Sequence, residues 1–176
     1  MRMALSPLPI PRFTIADLED RERFPEDGSR YELLDGWLIV SPAPQPLHEW
    51  VAFRIAALLD AYLAEGRSGV VFCGGAVQRA PRTHLQPDAL VVPPGTPLDA
   101  TWEEVRERWL VVEVLSRSTQ LYDRTYKVPA YHALGAPEVW LVDVDRRRVE
   151  VWRPGSAEPS YVTDVLTWQA PTRDVP

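Results

Sequence analysis

The run Trp109-Leu110-Val111-Val112-Glu113-Val114-Leu115 constrains this chain more than any other segment. It is apolar at odd and even positions alike, so a strand made from it needs cover on both faces. Such a strand belongs at the centre of a sheet. Glu113 breaks the pattern inside it. An ionised carboxylate there is costly unless it is paired or binds a metal. Two readings are open: a strand-end acid held by one of the many arginines, or a carboxylate with a chemical task.

The neighbouring segments supply the rest of a sheet and its cover. Thr14-Ile15-Ala16-Asp17 reads as the start of a short polar helix with a capping acid. Asp35-Gly36, between Tyr31–Leu34 and Trp37–Val40, signals a hairpin. Ser41–Pro46 is a rigid proline-rich linker. From Leu47 to Ala64, Val51, Ile55, Leu58, Leu59 and Tyr62 recur at helical spacing, and Gly66 ends the helix. Strands are expected at Val70–Phe72, Ala76–Arg79 and Asp88–Val92. Thr101-Trp102-Glu103-Glu104 offers a capping box for one or two helical turns. A helix is expected over Tyr122–Leu134, then strands at Glu138–Val142, Val149–Trp152 and Ser160–Val165. This order implies an α/β fold, a mixed β-sheet flanked by helices. One domain over 30–168 is expected, with an extension at 1–29 and a tail at 169–176. Fraying is expected over 1–12 and after Trp168.

Composition narrows the function classes. Net charge is −6, with 19 basic against 25 acidic residues, so the chain as a whole is no strongly basic nucleic-acid binder. Cys73 is the single cysteine, which excludes an intrachain disulfide and a cysteine-rich zinc site and fits a reducing cytoplasm. The apolar start is cut by Pro7 and Pro9, which argues against a signal peptide. No apolar run approaches the roughly 18 residues of a membrane helix, so no membrane partner is expected. Seven tryptophans suit extended packing surfaces, a homodimer interface among them.

Two further residues break local rules. Asp88 opens a strand directly after Pro87 and shares a face with Leu90 and Val92. A Pro-Asp pair is often only a turn, but two carboxylates at the ends of neighbouring buried strands suit Mg²⁺ or Mn²⁺. Lys127 is the one lysine among 18 arginines. A regular helical wheel places Tyr126, Ala130, Ala133 and Leu134 inward, Lys127 at the edge of that face, and Tyr131 beyond it. Val128 and His132 point elsewhere, and Pro129 faces outward, where its missing N–H permits a kink. A pair with Asp123 or a snorkelling surface lysine also accounts for Lys127.

The ordered series Tyr31-Glu32-Leu33-Leu34-Asp35-Gly36, His48, Gln86-Pro87-Asp88, Val112–Ser116, Ser118-Thr119, Asp123 with Lys127, and Glu138–Asp143 resembles the Uma family of restriction-endonuclease-like proteins, within the PD-(D/E)XK nuclease superfamily. The resemblance spans roughly 30–153. Leu115 stands where the simple motif has its lysine. The resemblance implies a restriction-endonuclease-like core with the lysine moved to the following helix. It implies Asp88 and Glu113 as metal ligands, the Val114 carbonyl as a third, and Lys127 as the catalytic lysine. Glu32, His48, Asp123 and Tyr131 are supporting candidates, although His48 also reads as a cap or a surface residue. Pro129 departs from the family pattern and bears on the aim of Lys127.

The expected chemistry is Mg²⁺-dependent (Mn²⁺ as the alternative metal) hydrolysis of DNA phosphodiester bonds. Arg79, Arg82, Arg117 and Arg124 are the expected nucleic-acid contacts, and Arg146-Arg147-Arg148 reads as a solvated turn. The alternatives are a non-catalytic binding or assembly protein on the same fold, and a metal-dependent hydrolase of small phosphoesters.

Overall fold

The computed structural model describes residues 12–66 and 69–171. The signal-peptide reading of the first nine residues, and all but Arg12 of the fraying expected over 1–12, lie outside the described residues.

A hairpin opens the body of the fold. β1 (Arg30–Leu34) and β2 (Trp37–Ser41) pair antiparallel around Asp35-Gly36. The two turn residues have φ of +51° and +86°, which the Asp-Gly pair tolerates. A Cβ on Gly36 would lie 3.1 Å from the Phe13 carbonyl oxygen, so a larger residue would also be crowded there. α1 (Pro46–Ala64) then crosses to β3 (Val70–Cys73). β4 (Val77–Arg79), β5 (Thr83–Leu85), β6 (Ala89–Val92) and β7 (Leu110–Val114) follow. β8 (Val139–Asp143), β9 (Arg148–Trp152) and β10 (Ser160–Val162) complete the strands.

Two sheets result, ordered β2-β1-β5-β4 and β10-β9-β8-β7-β6-β3. β7 is central, as its two-sided apolar pattern requires, and all five of its residues are buried. It runs antiparallel to β6 and parallel to β8. A parallel neighbour requires a crossover. Here it consists of α2 (Gln120–Tyr122), a π-helical turn (Asp123–Lys127) and α3 (Val128–Ala133). Side-chain alternation divides the core. Leu110, Val112 and Val114 join a cluster with Ala52, Ala56, Leu59 and Leu63 of α1. Val111, Leu90 and Val92 join Tyr131 and Val128 on the other face. By parity Glu113 and Asp88 project to the Tyr131 side.

Several expectations change. The buried stripe of α1 is Ala52, Ala56, Leu59 and Leu63, while Leu58 is 62% exposed. The wheel fails over the crossover helix: Asp123, Lys127, Val128 and Tyr131 are buried, whereas Tyr126 and Ala133 are exposed. The π-turn is the reason. Val128 N–H bonds the carbonyl of Asp123, five residues back, so each residue turns through less than the regular helix angle. Pro129 explains the widening, because its ring would clash with the carbonyl four residues earlier. Pro129 is exposed, as the wheel placed it. Thr101 and Glu104 form the expected capping contacts, at 2.8 and 2.9 Å, but close a turn and no helix. β5 lacks a periodic signal because it is three residues long. Just after Trp168, Ala170 is buried against the α1 cluster, and the rest of the fraying expected there, over 172–176, lies outside the described residues.

Candidate active site

Several elements each deliver one acid to a common cleft. On β1 the alternation that buries Glu32 also turns Arg30 the same way. Asp88 sits just before β6, with its own N–H bonded to the Val112 carbonyl at 3.0 Å. Glu113 comes from β7, and Asp123 and Lys127 from the two ends of the π-turn. His48 enters from the first turn of α1. These residues line one cleft of about 840 Å³, except Tyr131, which lies behind Glu113. Its rim carries Pro42, Pro44 and Leu47 on one side and Ser116–Gln120 with Arg146 on the other.

Lys127 is the hub. Its Nζ lies 2.9 Å from Glu32 Oε2, 3.0 Å from Glu113 Oε1 and 3.6 Å from Asp123 Oδ1. Only 4% of the residue is exposed, so the surface-lysine reading is excluded, while the Asp123 pair is present as one of three. Burial works against its charge, but Glu113, Glu32 and Asp123 hold its ammonium well above the ordinary lysine range. Glu113 is therefore held by a lysine, and by the Tyr131 hydroxyl, which donates to Oε1 at 2.5 Å. Among the described residues no arginine is bonded to it.

Asp88 has a different environment. Its Oδ1 meets Arg30 at 2.5 Å, and its Oδ2 accepts the Val114 N–H at 2.7 Å. His48 Nε2 lies 3.3 Å from Oδ2 and 2.8 Å from the Val114 carbonyl oxygen. Burial opposes ionisation of Asp88, but His48, Arg30 and the Val114 N–H keep its carboxyl below the usual range. The two principal acids are thus driven apart. Burial, with the charges of Asp88, Asp123 and Glu32, outweighs Lys127 and pushes Glu113 up to about 8. His48 rises despite burial because Asp88 faces it.

The donors suit a hard divalent cation. Glu32, Asp88, Glu113 and Asp123 are all at most 3% exposed, and Asp123 Oδ1 is buried with no hydrogen-bond partner. Among the described residues no group of three or more His, Cys, Asp or Glu side chains is placed to hold a metal alone. Mg²⁺ is commonly held by one or two carboxylates and several waters, and Asp88 and Glu113 are two carboxyl groups lining the same cleft. The Val114 carbonyl keeps one lone pair beyond its His48 contact.

Of the four expected nucleic-acid contacts, only Arg117 lines the cleft, paired at 3.2 Å with Asp145. Arg124 lies off the lining, bound to Glu150 at 2.8 Å and Asp143 at 3.4 Å. Arg79, at the end of β4, pairs with Asp35, and Arg82, in the β4–β5 turn, lies against Gly36. Arg146, read from sequence as a solvated turn, does line the cleft, 3.0 Å from Asp143. Sequence reasoning missed Arg30. Its even spacing from Glu32 on a strand was the available signal.

Comparisons with known proteins bear on the family and the fold. A protein-family model described as "Uma2: Putative restriction endonuclease" matches residues 18–172. Among solved structures, the chain is similar to one titled "Crystal structure of a putative nuclease belonging to DUF820 from Anabaena variabilis". The two share 19% identity over 84% of each chain, with a TM-score of 0.68. At that identity the likeness establishes a shared nuclease-like fold. No curated protein matches the chain.

Proposed function

The chain belongs to the Uma2 restriction-endonuclease-like family, and from that membership we propose that it is a metal-dependent nuclease hydrolysing DNA phosphodiester bonds. The observation that carries the reading is the convergence of Asp88, Glu113 and the buried Lys127 ammonium on one cleft. Asp88 and Glu113 are the ligands for Mg²⁺, or Mn²⁺ in its place, with the Val114 carbonyl as a further oxygen. When bound, the ion lowers the pKa of a water and neutralises charge on the phosphate.

The protein's own residues do the remaining work. Lys127 holds a fixed positive charge against the negative charge that builds in the transition state. Glu32 and Asp123 fix its ammonium, and Tyr131 fixes the Glu113 carboxylate, so neither group reorganises during reaction. Arg30 and His48 keep Asp88 ionised. Arg117 and Arg146, on the rim, meet flanking phosphates, which limits backbone contact to a local patch on an acidic protein. The unit over 30–168 carries this site. Among the described residues no helix is long and apolar enough to cross a membrane, and the reading places the protein in the cytoplasm, with DNA and a second copy of itself as partners.

The test is cleavage of duplex DNA by purified protein with Mg²⁺ or Mn²⁺. Asp88→Ala, Glu113→Ala and Lys127→Ala should each abolish cleavage. Activity that survives all three substitutions overturns the assignment.

A further inference from the structure

α1 is apolar on more than its buried side. Ala52, Ala56, Leu59 and Leu63 pack on the six-stranded sheet, yet Leu47, Trp50, Phe53 and Leu58 remain 59%, 61%, 59% and 62% exposed. The exposed side has a regular order. Leu47, Trp50, Arg54, Ala57, Ala61 and Ala64 follow alternating steps of three and four, the spacing of a helix–helix seam, and all six are exposed. Phe53 and Leu58 flank that seam.

We propose that this face docks a second copy of the chain, the two α1 helices running antiparallel about a two-fold axis between Ile55 and Ala56. The ordering of residue sizes is the argument. Reversal about that axis sets Trp50 against Ala61 of the second copy and Leu47 against Ala64. It sets Arg54 against Ala57, and it brings Phe53 beside its own counterpart on one flank and Leu58 beside its own on the other. Large side chains in the first half of the helix meet alanines in the second half, and the symmetry repeats each pair. A small residue opposite a large one lets the backbones approach and the rings interdigitate.

The area is adequate. Aromatic side chains of this kind bury about 150–250 Å² each. At the observed exposures, the four large residues with the alanines and the Arg54 stem offer roughly 600–700 Å² per copy, near the ~800 Å² of a standard interface. Leu47 also lines the cleft, so the end of the second copy's α1 adds to the cleft rim. This deepens the self-association in the proposed function and is independent of its chemistry.

Sedimentation equilibrium of the full chain, without DNA or metal, tests it. The expected mass is twice the 20.0 kDa of one chain. Trp50→Glu and Ala61→Glu should each weaken association at least about a hundredfold, two charges being buried per dimer, with circular dichroism unchanged. Ala57 provides the register test, at an exposed site where folding is safe. Ala57→Glu should tighten the dimer roughly threefold to tenfold by facing Arg54, and Ala57→Arg should loosen it by a similar factor. A monomer at all concentrations overturns the proposal. So does a dimer indifferent to Ala61→Glu, or one in which both Ala57 charges act alike. A monomer whose DNA binding is lost in Trp50→Glu assigns the face to nucleic acid instead. Because the mass is read without substrate, failure here leaves the nuclease assignment untouched, and the reverse holds.

Discussion

Replacing Lys127 with methionine keeps the stem and removes the ammonium. The wild-type ammonium lies 2.9 Å from Glu32, 3.0 Å from Glu113 and 3.6 Å from Asp123, all of them buried. The variant leaves three carboxylates facing one another without a cation. Breaking a buried ion pair from one side costs about 3–5 kcal/mol, and a chain of this length loses roughly 2–4 °C of melting temperature per kcal/mol. The cost has a pH signature. Glu113 titrates near 4.5 when unfolded and is pushed up to about 8 when folded. Between those limits the folded state holds a proton that the unfolded chain has released, so this group's contribution falls as pH rises. Without the lysine, the Glu113 carboxyl moves further up, and protonation then relieves most of the repulsion in acid. Urea denaturation at pH 6 and pH 9 reads this directly. The loss should approach about 3–5 kcal/mol at pH 9 and be clearly smaller at pH 6. Equal losses at the two pH values, or a loss under about 1 kcal/mol at pH 9, would refute the buried-hub account.

Lys127→Arg should restore part of the stability but not cleavage, because a planar fork cannot occupy the space of a compact ammonium between three acids; a DNA cleavage assay beside a thermal melt separates the two. Tyr131→Phe removes a 2.5 Å hydrogen bond to Glu113 and should cost about 1.5–3 kcal/mol in denaturant titration. Gly75→Ala places a Cβ 2.6 Å from the Trp102 ring at φ +104°, and should lower stability by about 1–3 kcal/mol without altering cleavage. Calorimetric titration with Mg²⁺ at pH 7 should release up to one proton from Glu113, seen as heat that depends on the buffer, and affinity should rise with pH until about 8.

The site was more legible than its mechanics. Glu113 declared itself by interrupting an apolar run, and Asp88 by parity with Leu90 and Val92, because strand alternation is a local property. Lys127 stood out as the one lysine, and its burial is real. Its route inward was not legible: a regular wheel put it at the edge of the inward face and left Tyr131 outside. Arg30 passed unnoticed because a cation at a strand start signals nothing until the carboxylate it meets, 58 residues away, is known.

Sequence alone singled out Glu113, Asp88 and Lys127 as residues that break local rules, and it determined which strand is central. An apolar pattern on two faces admits no edge position, and a carboxylate within it demands a partner. Only the tertiary structure decided the pairing. The π-turn ahead of Pro129 rotates Asp123, Lys127 and Tyr131 onto Glu113, and β1, from the other sheet, brings Glu32 and Arg30 across. Hydrogen-bond periodicity within a helix and contacts between distant strands are set by packing, so no local pattern in the chain specifies them.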